Sequence, residues 1–453
     1  MMDFLRSIDE AVAWFRQQEG KIRLISHLDS DGMAAAAILI KCFNRDSRSY
    51  SLSVVQQLNP AMLKDLEDYP LVVFSDFGSG QLEAINTYLK DKKVLILDHH
   101  KPTDTVPADN VMHVNPHLHG IDGGTEISGA GVSYLFAKAL DQRNKDLAHL
   151  AVIGAIGDIQ DNLTALNKTI LDDALAEKKI EIMRGIRFFG RQTKPLHKIL
   201  EYSSDPYIPD VTGSESGAIQ FLQQLGIYPK MGSQWKRITD LDDDEVRRLT
   251  EGIIIRRADL EKPEDVLGNI YLLPQEKMGT PFKDAREFST LLNACGRLNR
   301  ASHGIGACLG DKKAKKAALA DLTLYRKKIL HALRWFEANR DSMVQDKSFI
   351  IINAKDKIMG TIAGTLASII SKSDVFEQGT LILSMAHLLD GNTKVSLRVA
   401  GRSGPDLRGI INDITSRVGG DSGGHMNAAG AVIPTELEQP FIETATEVFK
   451  EIS

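Results

Sequence analysis

The sequence predicts an α/β protein in which a parallel sheet forms the first domain and a smaller α/β domain follows later. Short aliphatic runs alternate with helical stretches in the first part of the chain, which is typical of parallel strands joined by helices. The 453 residues exceed one compact core, so two or three domains are expected. Apolar residues make up 43% of the chain and charged residues 25%, the balance of an ordinary globular protein.

The first domain is predicted over residues 1–165. It begins with an amphipathic helix around residues 3–18, and a further helix is predicted at His149–Ile156. Between them lie five aliphatic runs with strand character: Ile22–Ser26, Ser51–Val55, Leu71–Ser75, Val94–Leu97 and Val111–Val114. Ligands of parallel sheets bind where the strands end, so the polar residues that follow these strands are the candidates for chemistry.

Three further segments follow the first domain. Residues 166–285 are predicted to be a mainly helical insertion, and residues 286–340 to be two long helices joined by a glycine-rich turn at His303–Gly310. Residues 345–453 are predicted to form the smaller α/β domain. Its predicted elements are strands Ser348–Asn353, Leu381–Ala386 and Lys394–Ala400, a helix after Gly360 and a glycine-rich turn at Gly419–Gly430.

Charge and cysteine content narrow the functional classes. The net charge of -5 argues mildly against nucleic-acid binding. The three cysteines, Cys42, Cys295 and Cys308, are too few and too widely spaced for a disulfide framework or a zinc ribbon, which predicts a reducing cytoplasm. We expect neither a secretory signal nor association with a membrane, because no apolar stretch reaches the roughly 18 residues of a membrane span.

The first strand leads directly into an H-x-D-x-D-G turn. His27, Asp29 and Asp31 alternate along this turn and can face one point, and Gly32 permits the sharp entry into the next helix. One imidazole and two carboxylates suit a divalent cation. A solvated acidic turn with an N-capping aspartate explains the same residues equally well.

The same arrangement recurs at two more strands and one helix. Asp76 follows the strand Leu71–Ser75, Asp98-His99-His100 follows Val94–Leu97, and Asp158 follows the helix His149–Ile156. Each aspartate alone could be a turn residue or a polar helix exit. Together they predict a metal cluster, because burying several carboxylates without a cation costs several kcal/mol per ion.

Two cations that share Asp76 could clamp an in-line displacement at phosphorus. The imidazole ligands favour Mn²⁺ over Mg²⁺, and leave Co²⁺ possible. The histidines His113, His117 and His119 are interpreted as ordinary polar loop residues rather than as a third metal site.

These motifs resemble, in order and spacing, the four motifs of the DHH phosphoesterase superfamily. The stretch Gly423-Gly424-His425-x-x-Ala428-Ala429-Gly430 resembles the signature of the accompanying DHHA1 domain, with Ser422 in place of a third glycine. The resemblance covers nearly the whole chain. It implies a DHH catalytic domain, a DHHA1 phosphate-binding domain and an active-site cleft between the two lobes.

The resemblance also implies residue roles. One metal would be held by His27, Asp29 and Asp76, and a second by Asp31, Asp76, His99 and Asp158. His100 matches the phosphate-contacting histidine, and Asp98 and Asp76 join it in the catalytic set. Asn293-Ala294-Cys295-Gly296-Arg297 resembles the N-A-A-G-R stretch of RecJ-type nucleases. The implied substrate-binding residues are Asn293, Arg297, Ser396, Arg398, Gly423, Gly424 and His425.

Among these proteins the chain resembles the archaeal RecJ-like nucleases, which include the GINS-associated nuclease. This implies a single-strand-specific exonuclease, 5′-to-3′ on DNA and also active on RNA, that releases mononucleotides during DNA replication or repair and binds the GINS complex. A short-oligonucleotide or cyclic-dinucleotide phosphodiesterase is one alternative. A replisome scaffold is the other, and it would be expected to have lost metal ligands.

Two further features bear on the substrate. Arg184, Arg187, Arg191, Lys194 and Lys198 form a basic run that could track the phosphates of an unpaired strand, although a solvated helix face is the ordinary explanation. Ser128-Gly129-Ala130-Gly131 is predicted to begin a helix under the site, and its N–H groups could meet an anion.

Overall fold

The structure, a computed structural model, describes residues 1–56, 58, 60–64, 66, 68–203, 206–260, 262–373, 375–401 and 404–452. The chain divides into two compact units, Met1–Asp321 and Leu322–Ser453. The predicted α/β fold is confirmed: a parallel sheet and a helical region lie in the first unit, and a mixed sheet lies in the second. Among the described residues, no helix is both long enough and apolar enough to cross a membrane.

A five-stranded parallel sheet forms the core of the first unit. Its strands are β1 Ile22–His27, β2 Tyr50–Val55, β3 Leu71–Ser75, β4 Lys93–Leu97 and β5 Val111–Val114. Their order is β2-β1-β3-β4-β5, and every neighbouring pair is parallel. All five predicted strands are thereby confirmed. Every residue of β3 is buried, as a strand covered by helices on both faces requires.

Six helices accompany this sheet: α1 Met2–Arg16, α2 Ser30–Arg45, α3 Pro60–Lys64, α4 Leu82–Tyr88, α5 Gly129–Leu140 and α6 Ala148–Gly157. Helix α2 packs against α5 and α6. Four consecutive alanines on α2, residues 34–37, are fully buried. Their small side chains permit close approach of the helices, which brings the start of α2 next to the start of α5.

The following region is helical, as predicted, but also contains two antiparallel strand pairs. Its helices are α7 Ala165–Ala176, α8 Leu196–Glu201, α9 Glu215–Gln224 and α10 Asp243–Arg256. Its strands are β6 Glu181–Ile186, β7 Lys230–Met231, β8 Gln234–Trp235 and β9 Leu267–Leu272, with β6 paired to β9 and β7 to β8. A separate hydrophobic core, including Phe188, Leu196 and Phe221, holds these elements together.

Three helices complete the connection to the second unit: α11 Ala285–Arg297, α12 Ala301–Cys308 and α13 Lys312–Asn339. The predicted glycine-rich turn at His303–Gly310 is wrong, because most of it is helix α12. Its glycines serve close packing instead. A Cβ atom on Gly304 would lie 2.7 Å from the Met33 sulfur, and one on Gly306 would lie 2.6 Å from the Ala314 Cβ.

The second unit is a six-stranded mixed sheet with three helices. Its strands are β10 Val344–Gln345, β11 Phe349–Asn353, β12 Leu381–His387, β13 Asn392–Val399, β14 Asp421–His425 and β15 Ala428–Pro434, in the order β10-β11-β12-β13-β15-β14. Its helices are α14 Gly360–Ser371, α15 Leu407–Val418 and α16 Glu438–Ile452. The predicted turn at Gly419–Gly430 is wrong, because most of these residues, from Asp421 onward, belong to the β14–β15 hairpin. Glycine is needed at position 430, because a Cβ atom there would clash with the Val395 carbonyl oxygen at 2.6 Å.

The three cysteines are free thiols. Burial raises the pKa of Cys42, Cys295 and Cys308 to about 12 in each case. Since the thiolate is the reactive form, these side chains serve as packing groups near neutral pH.

Candidate metal centre

The candidate site lies at the carboxyl edge of the parallel sheet. The hydrogen bonds between neighbouring strands continue one residue past the strand ends. Asp76 donates its N–H to the Leu97 carbonyl oxygen at 2.9 Å, and Asp98 donates its N–H to the Val114 carbonyl oxygen at 3.2 Å. Asp76 has φ of 64°, a left-handed conformation that is uncommon for a residue with a side chain. Such local strain persists only where the surrounding structure imposes it, and it is frequent at functional sites.

A first group of possible ligands contains His27, Asp29 and Asp76. The Nδ1 atom of His27 lies 2.8 Å from Asp29 Oδ2 and 3.7 Å from Asp76 Oδ2. The other oxygen of Asp29, Oδ1, accepts from the Gly32 N–H at 3.0 Å and caps helix α2. The capping role and a ligand role therefore use different oxygens of the same carboxylate.

A second group contains Asp31, His99 and Asp158. The Nε2 atom of His99 lies 3.8 Å from Asp31 Oδ2, 3.8 Å from Asp158 Oδ2 and 3.3 Å from Asp76 Oδ1. Asp76 thus directs Oδ2 towards the first group and Oδ1 towards the second. The structure brings all six sequence-predicted ligands together in two groups that meet at Asp76.

The unpartnered polar atoms of this cluster fit divalent cations. Both carboxylate oxygens of Asp76, the Nε2 atom of His99 and the Nδ1 atom of His27 are buried and make no well-oriented hydrogen bond in the described part of the chain, although ring nitrogens and carboxylate oxygens lie as close as 2.8 Å. Asp76 is only 1% exposed. A buried, unpartnered carboxylate costs several kcal/mol, and a bound cation would remove this penalty. Carboxylate oxygens and imidazole nitrogens are the donor set of Mn²⁺ and related ions.

The electrostatics of the cluster support the same conclusion. Burial, reinforced by the neighbouring Asp76 carboxylate, raises the pKa of Asp31 well above its usual range. Burial also raises the pKa of Asp158 to about 6. Burial acts to lower the pKa of His99, but Asp76 and Asp158 outweigh it and raise that pKa. The carboxylates are crowded enough to compete for protons, which is a conflict that cations would resolve.

Hydrogen bonds behind the cluster orient two of the possible ligands. The Nδ1 atom of His99 lies 2.7 Å from the Gly123 carbonyl oxygen, which leaves Nε2 to face the carboxylates. The Gln160 side chain donates to the Gly123 oxygen at 2.9 Å and to Asp158 Oδ2 at 3.2 Å. Supporting contacts of this kind fix the ring orientation of metal-binding histidines.

Asp98 organises the neighbouring His100. This carboxylate is fully buried, and it accepts from the N–H groups of Ser79 at 2.9 Å and His99 at 2.8 Å. It also lies 2.8 Å from His100 Nδ1. Burial acts to lower the pKa of His100, but the Asp98 charge outweighs it and raises the pKa to about 9. His100 is therefore a cation whose Nε2 atom remains available.

A pocket of about 200 Å³ opens onto this part of the site. Its lining includes His27, Asp76, Asp98 and His100. His100 forms a third possible group with Asp76 and His99, and it could act as a ligand only as a neutral ring, because a protonated imidazole has no free lone pair.

The start of helix α5 lies directly against the cluster. The N–H groups of Gly129 and Ala130 donate to the two oxygens of Asp31 at 2.7 and 3.1 Å. The anion that these N–H groups were predicted to bind is therefore the Asp31 carboxylate. A Cβ atom on Gly129 would lie 2.3 Å from Asp76 Oδ1, and one on Gly154 would lie 2.3 Å from Asp31 Oδ1. Glycine is required at both positions because the carboxylates occupy the space of a side chain.

Helix α11 supports the loop that carries the first aspartates. The Asn293 side chain accepts from the Ser30 N–H at 2.9 Å. A Cβ on Gly296 would lie 1.8 Å from the Leu28 carbonyl oxygen, so this helix approaches the loop as closely as glycine permits. Asn293, predicted to bind substrate, thus contacts the protein backbone between Asp29 and Asp31. Arg297, half-buried near the end of the same helix, keeps its substrate role as a prediction.

The remaining predicted substrate-binding residues belong to the second unit. Ser396 on β13 pairs with Gly430, which pairs with Gly423 on β14, so the three residues form one row across the sheet. Arg398 donates to the Ser368 hydroxyl at 3.0 Å. Gly424 has φ of 132°, which a residue with a side chain rarely adopts. The side chain of His425 lies outside the described part of the structure.

Sequence reasoning missed the residues that support the ligands. Asn115 donates to the Ser79 hydroxyl and to the His100 carbonyl, both at 2.8 Å. Its position directly after β5, at the same sheet edge as Asp98, was a usable signal. The signal for Gln160 was weaker, because only its closeness in sequence to Asp158 indicated that it lies near the cluster.

Three domain families match the chain: the DHH family N-terminal domain at residues 21–155, the DHH-CID domain at 188–268 and the DHHA1 domain at 347–451. An uncharacterized protein of Methanocaldococcus jannaschii is 30% identical across 100% of this chain and 99% of its own length. The chain belongs to the DHH/DHHA1 superfamily.

A Bacillus subtilis protein, named as a candidate SPbeta prophage-derived single-strand DNA-specific exonuclease, is 25% identical over 203 residues. The match covers 42% of this chain and 34% of that protein. Less than half of this chain therefore corresponds to about a third of this relative.

Two solved structures share the fold of nearly the whole chain. RecJ from Thermus thermophilus, in complex with Mn²⁺, has a TM-score of 0.61 at 17% identity, over 99% of this chain and 55% of that one. CDC45 from Entamoeba histolytica has a TM-score of 0.62 at 12% identity, over 99% of this chain and 98% of that one. The chain spans about half the length of the RecJ protein and nearly all of CDC45. At these identities the similarity establishes the RecJ-like fold.

Proposed function

We propose that this protein is a two-metal-ion phosphodiesterase that acts as a single-strand-specific exonuclease and releases mononucleotides. The observation that carries the proposal is the meeting of two ligand groups at Asp76, whose two buried oxygens face different groups and make no well-oriented hydrogen bond with any described residue. His27, Asp29 and Asp76 would hold one cation, and Asp31, Asp76, His99 and Asp158 the other. We propose Mn²⁺ as the ion, with Mg²⁺ or Co²⁺ as substitutes.

Two such cations supply an activated water and stabilise charge on the phosphate that is attacked. The protein groups around them position that phosphate. Asp98 orients His100 at the 200 Å³ pocket, where its free ring nitrogen can carry a proton and donate it to a phosphate oxygen. Helix α5 offsets the charge of Asp31 with two N–H donors, which keeps this carboxylate in place when no cation is bound.

The proposed substrate is the end of an unpaired nucleic-acid strand. The pocket beside His100 is smaller than the roughly 300–1,000 Å³ of ordinary ligand sites, which suits the terminal phosphate and sugar of a longer chain. The name of the Bacillus subtilis relative supports single-stranded DNA as the substrate. We further propose 5′-to-3′ polarity, activity on RNA, a cytoplasmic role in DNA replication or repair, and binding to GINS.

The test is hydrolysis of end-labelled single-stranded DNA, single-stranded RNA and duplex DNA in Mn²⁺, with Asp76→Asn as the matched variant. Asp76→Asn preserves the shape of the side chain but removes the shared charge. We expect the wild type alone to release mononucleotides from single strands, and labels at opposite ends report the polarity. Hydrolysis that survives in Asp76→Asn would refute the shared-ligand site.

Two other functions are distinguishable in the same assay. A short-oligonucleotide or cyclic-dinucleotide phosphodiesterase would not become faster as the strand grows beyond a few nucleotides. The fold that the chain shares with CDC45 is compatible with the scaffold alternative, but the presence of all six proposed ligands argues against it. A scaffold would show no metal-dependent hydrolysis, and its association with GINS would be unaffected by Asp76→Asn.

A further inference from the structure

A cavity of about 390 Å³ lies in the first unit, apart from the residues of the metal centre. Helix α6, the β6–β9 strand pair and helix α11 all contribute to its wall. Its most distinctive feature is four arginines, which line it together: Arg184, Arg187, Arg191 and Arg286. We call it the arginine cavity.

The carboxylates in the wall of the arginine cavity are already engaged. Asp161 is paired with Arg286, and Asp265 with Arg257, which lies outside the lining. Asp284 accepts the N–H groups of Arg286 and Glu287 as the cap of helix α11, and burial raises the pKa of Asp284. None of these three carboxylates forms an ion pair with the other three arginines in the described part of the chain, although Asp284 is close enough to act on Arg191.

The other three arginines have no carboxylate partner in the described part of the chain. Arg187 donates to the carbonyl oxygen of Asp265 at 2.7 Å, and Arg191 donates to that of Ile186 at 2.7 Å. Arg184 is exposed and forms neither an ion pair nor a side-chain hydrogen bond with a described residue. The lining holds four guanidinium groups against three carboxylates, and guanidinium groups that exceed their counter-charges can form a site for an anion.

Arg191 points to a ligand independently of this charge count. It is 8% exposed, and its Nε atom is buried with no hydrogen-bond partner among the described residues. Burial lowers the pKa of this guanidinium although Asp284 and Glu287 act in the opposite direction. The buried Nε–H group therefore needs an acceptor, and the described part of the protein does not supply one.

The arginine cavity is structurally connected to the metal centre. Ile156 lines the cavity near the end of helix α6, and Asp158 of the metal centre follows directly at that end. Helix α11 carries Arg286 in the cavity wall and, two turns later, Asn293 against the metal-binding loop. A strand bound at the metal centre could therefore reach the cavity with a neighbouring nucleotide.

We propose that the arginine cavity binds a phosphate of the nucleic-acid strand beyond the nucleotide being cleaved. This inference rests on the proposed function. It also divides the basic run of the sequence. Arg184, Arg187 and Arg191 serve the strand, whereas Lys194 packs over Phe189. Lys198 is neutralised by Glu201 at 2.7 Å and Glu215 at 2.9 Å, and serves the fold of the insertion instead.

The test is binding of a fluorescent single-stranded oligonucleotide to the full-length protein in EDTA, across a series of salt concentrations. Without divalent ions no hydrolysis takes place, so binding is measured apart from the proposed reaction. The variants are Arg184→Gln with Arg187→Gln, Arg184→Gln alone, and Lys198→Gln, which is the control for the single arginine variant because both remove one positive charge. Arg184→Gln alone keeps the test valid should the double variant unfold, because Arg184 is exposed.

Each phosphate contact contributes about 0.7 to the slope of log affinity against log salt for single strands. The double variant should therefore lower the slope by about 1.4 and weaken binding about 25-fold at 0.1 M salt, and Arg184→Gln alone about fivefold. Lys198→Gln should bind as the wild type does. Wild-type slope and affinity in the arginine variants would overturn the proposal.

A competition arm distinguishes the strand from a free nucleotide. If deoxyadenosine monophosphate binds the wild type but not the double variant, while both bind the oligonucleotide equally, the cavity holds a mononucleotide and the strand assignment is wrong. If the arginine variants lose oligonucleotide binding but the wild type hydrolyses no strand in Mn²⁺, the cavity assignment stands and the proposed nuclease function fails.

Discussion

Replacing Gly129 by alanine should disable the metal centre while the chain stays folded. Gly129 begins helix α5, and its backbone N–H holds Asp31. The added methyl group would lie 2.3 Å from Asp76 Oδ1 and 2.8 Å from its Cγ. Non-bonded carbon contacts are favourable only from about 3.5 Å, so the carboxylate must move by about 1 Å.

A shift of this size should be costly at Asp76 because both proposed cations depend on this carboxylate. We expect Mn²⁺ affinity to fall at least tenfold, equivalent to about 1.4 kcal/mol. A displacement of about 1 Å can lower a catalytic rate about 100-fold, so exonuclease activity should fall by a similar factor. The chain should still fold with a lowered melting temperature, because overpacking of a single site typically costs about 1–3 kcal/mol.

The assay is calorimetric titration of metal-free protein with Mn²⁺, with thermal melting in parallel. Gly131→Ala is the matched control on the same helix. Its methyl group would lie 2.8 Å from Ile127 Cγ1 and 3.2 Å from Ile170 Cδ1, which are apolar atoms. It should lower the melting temperature and leave Mn²⁺ affinity unchanged. Wild-type Mn²⁺ affinity in Gly129→Ala would refute the reasoning.

Three more predictions follow. Asn293→Leu leaves the Ser30 N–H without its acceptor, at a cost of about 1–3 kcal/mol, so calorimetry should show weaker Mn²⁺ binding; unchanged binding would exclude the positioning role. His100→Gln should reduce kcat without changing Mn²⁺ affinity, whereas a fall in that affinity would make His100 a ligand rather than the phosphate donor that Asp98 orients. Burial lowers the pKa of His149 to about 4. Because its unfolded value is near 6.5, the stability gained from the neutral ring is present above about pH 6.5 and is lost progressively towards pH 4. As the pH falls from about 6.5 to about 4, the melting temperature of the wild type should therefore fall more than that of His149→Gln. A difference between the two melting temperatures that does not change with pH would contradict this.

The sheet and its polar edge could be predicted because both follow from local sequence. Buried parallel strands are continuous aliphatic runs, and their ends are marked by His27, Asp76 and Asp98. Parallel strands place these ends at one edge, which is why residues far apart in sequence could be expected to meet.

The glycine-rich segments were predicted wrongly for a physical reason. Glycine marks a turn when the chain needs positive φ, but it also marks close approach of two elements. Gly304 lies within helix α12 beside Met33, and Gly430 lies within a strand beside Val395. Sequence alone does not distinguish these uses, because the neighbour that excludes a side chain is distant along the chain.

The contacts that orient the ligands were also beyond the sequence. Asn293 lies 263 residues from Ser30, and its motif suggested a substrate rather than a backbone partner. Likewise, the basic run gave no sign that Lys198 is neutralised by glutamates whereas Arg191 is buried with an unused donor. Such distinctions depend on tertiary neighbours.

The most direct test of the two-metal account is an anomalous difference map, measured at the manganese edge, of crystals grown with Mn²⁺. The account predicts two peaks on either side of Asp76: one contacted by His27 and Asp29, and the other by Asp31, His99 and Asp158. A map with one peak, or with none at this sheet edge, would contradict it.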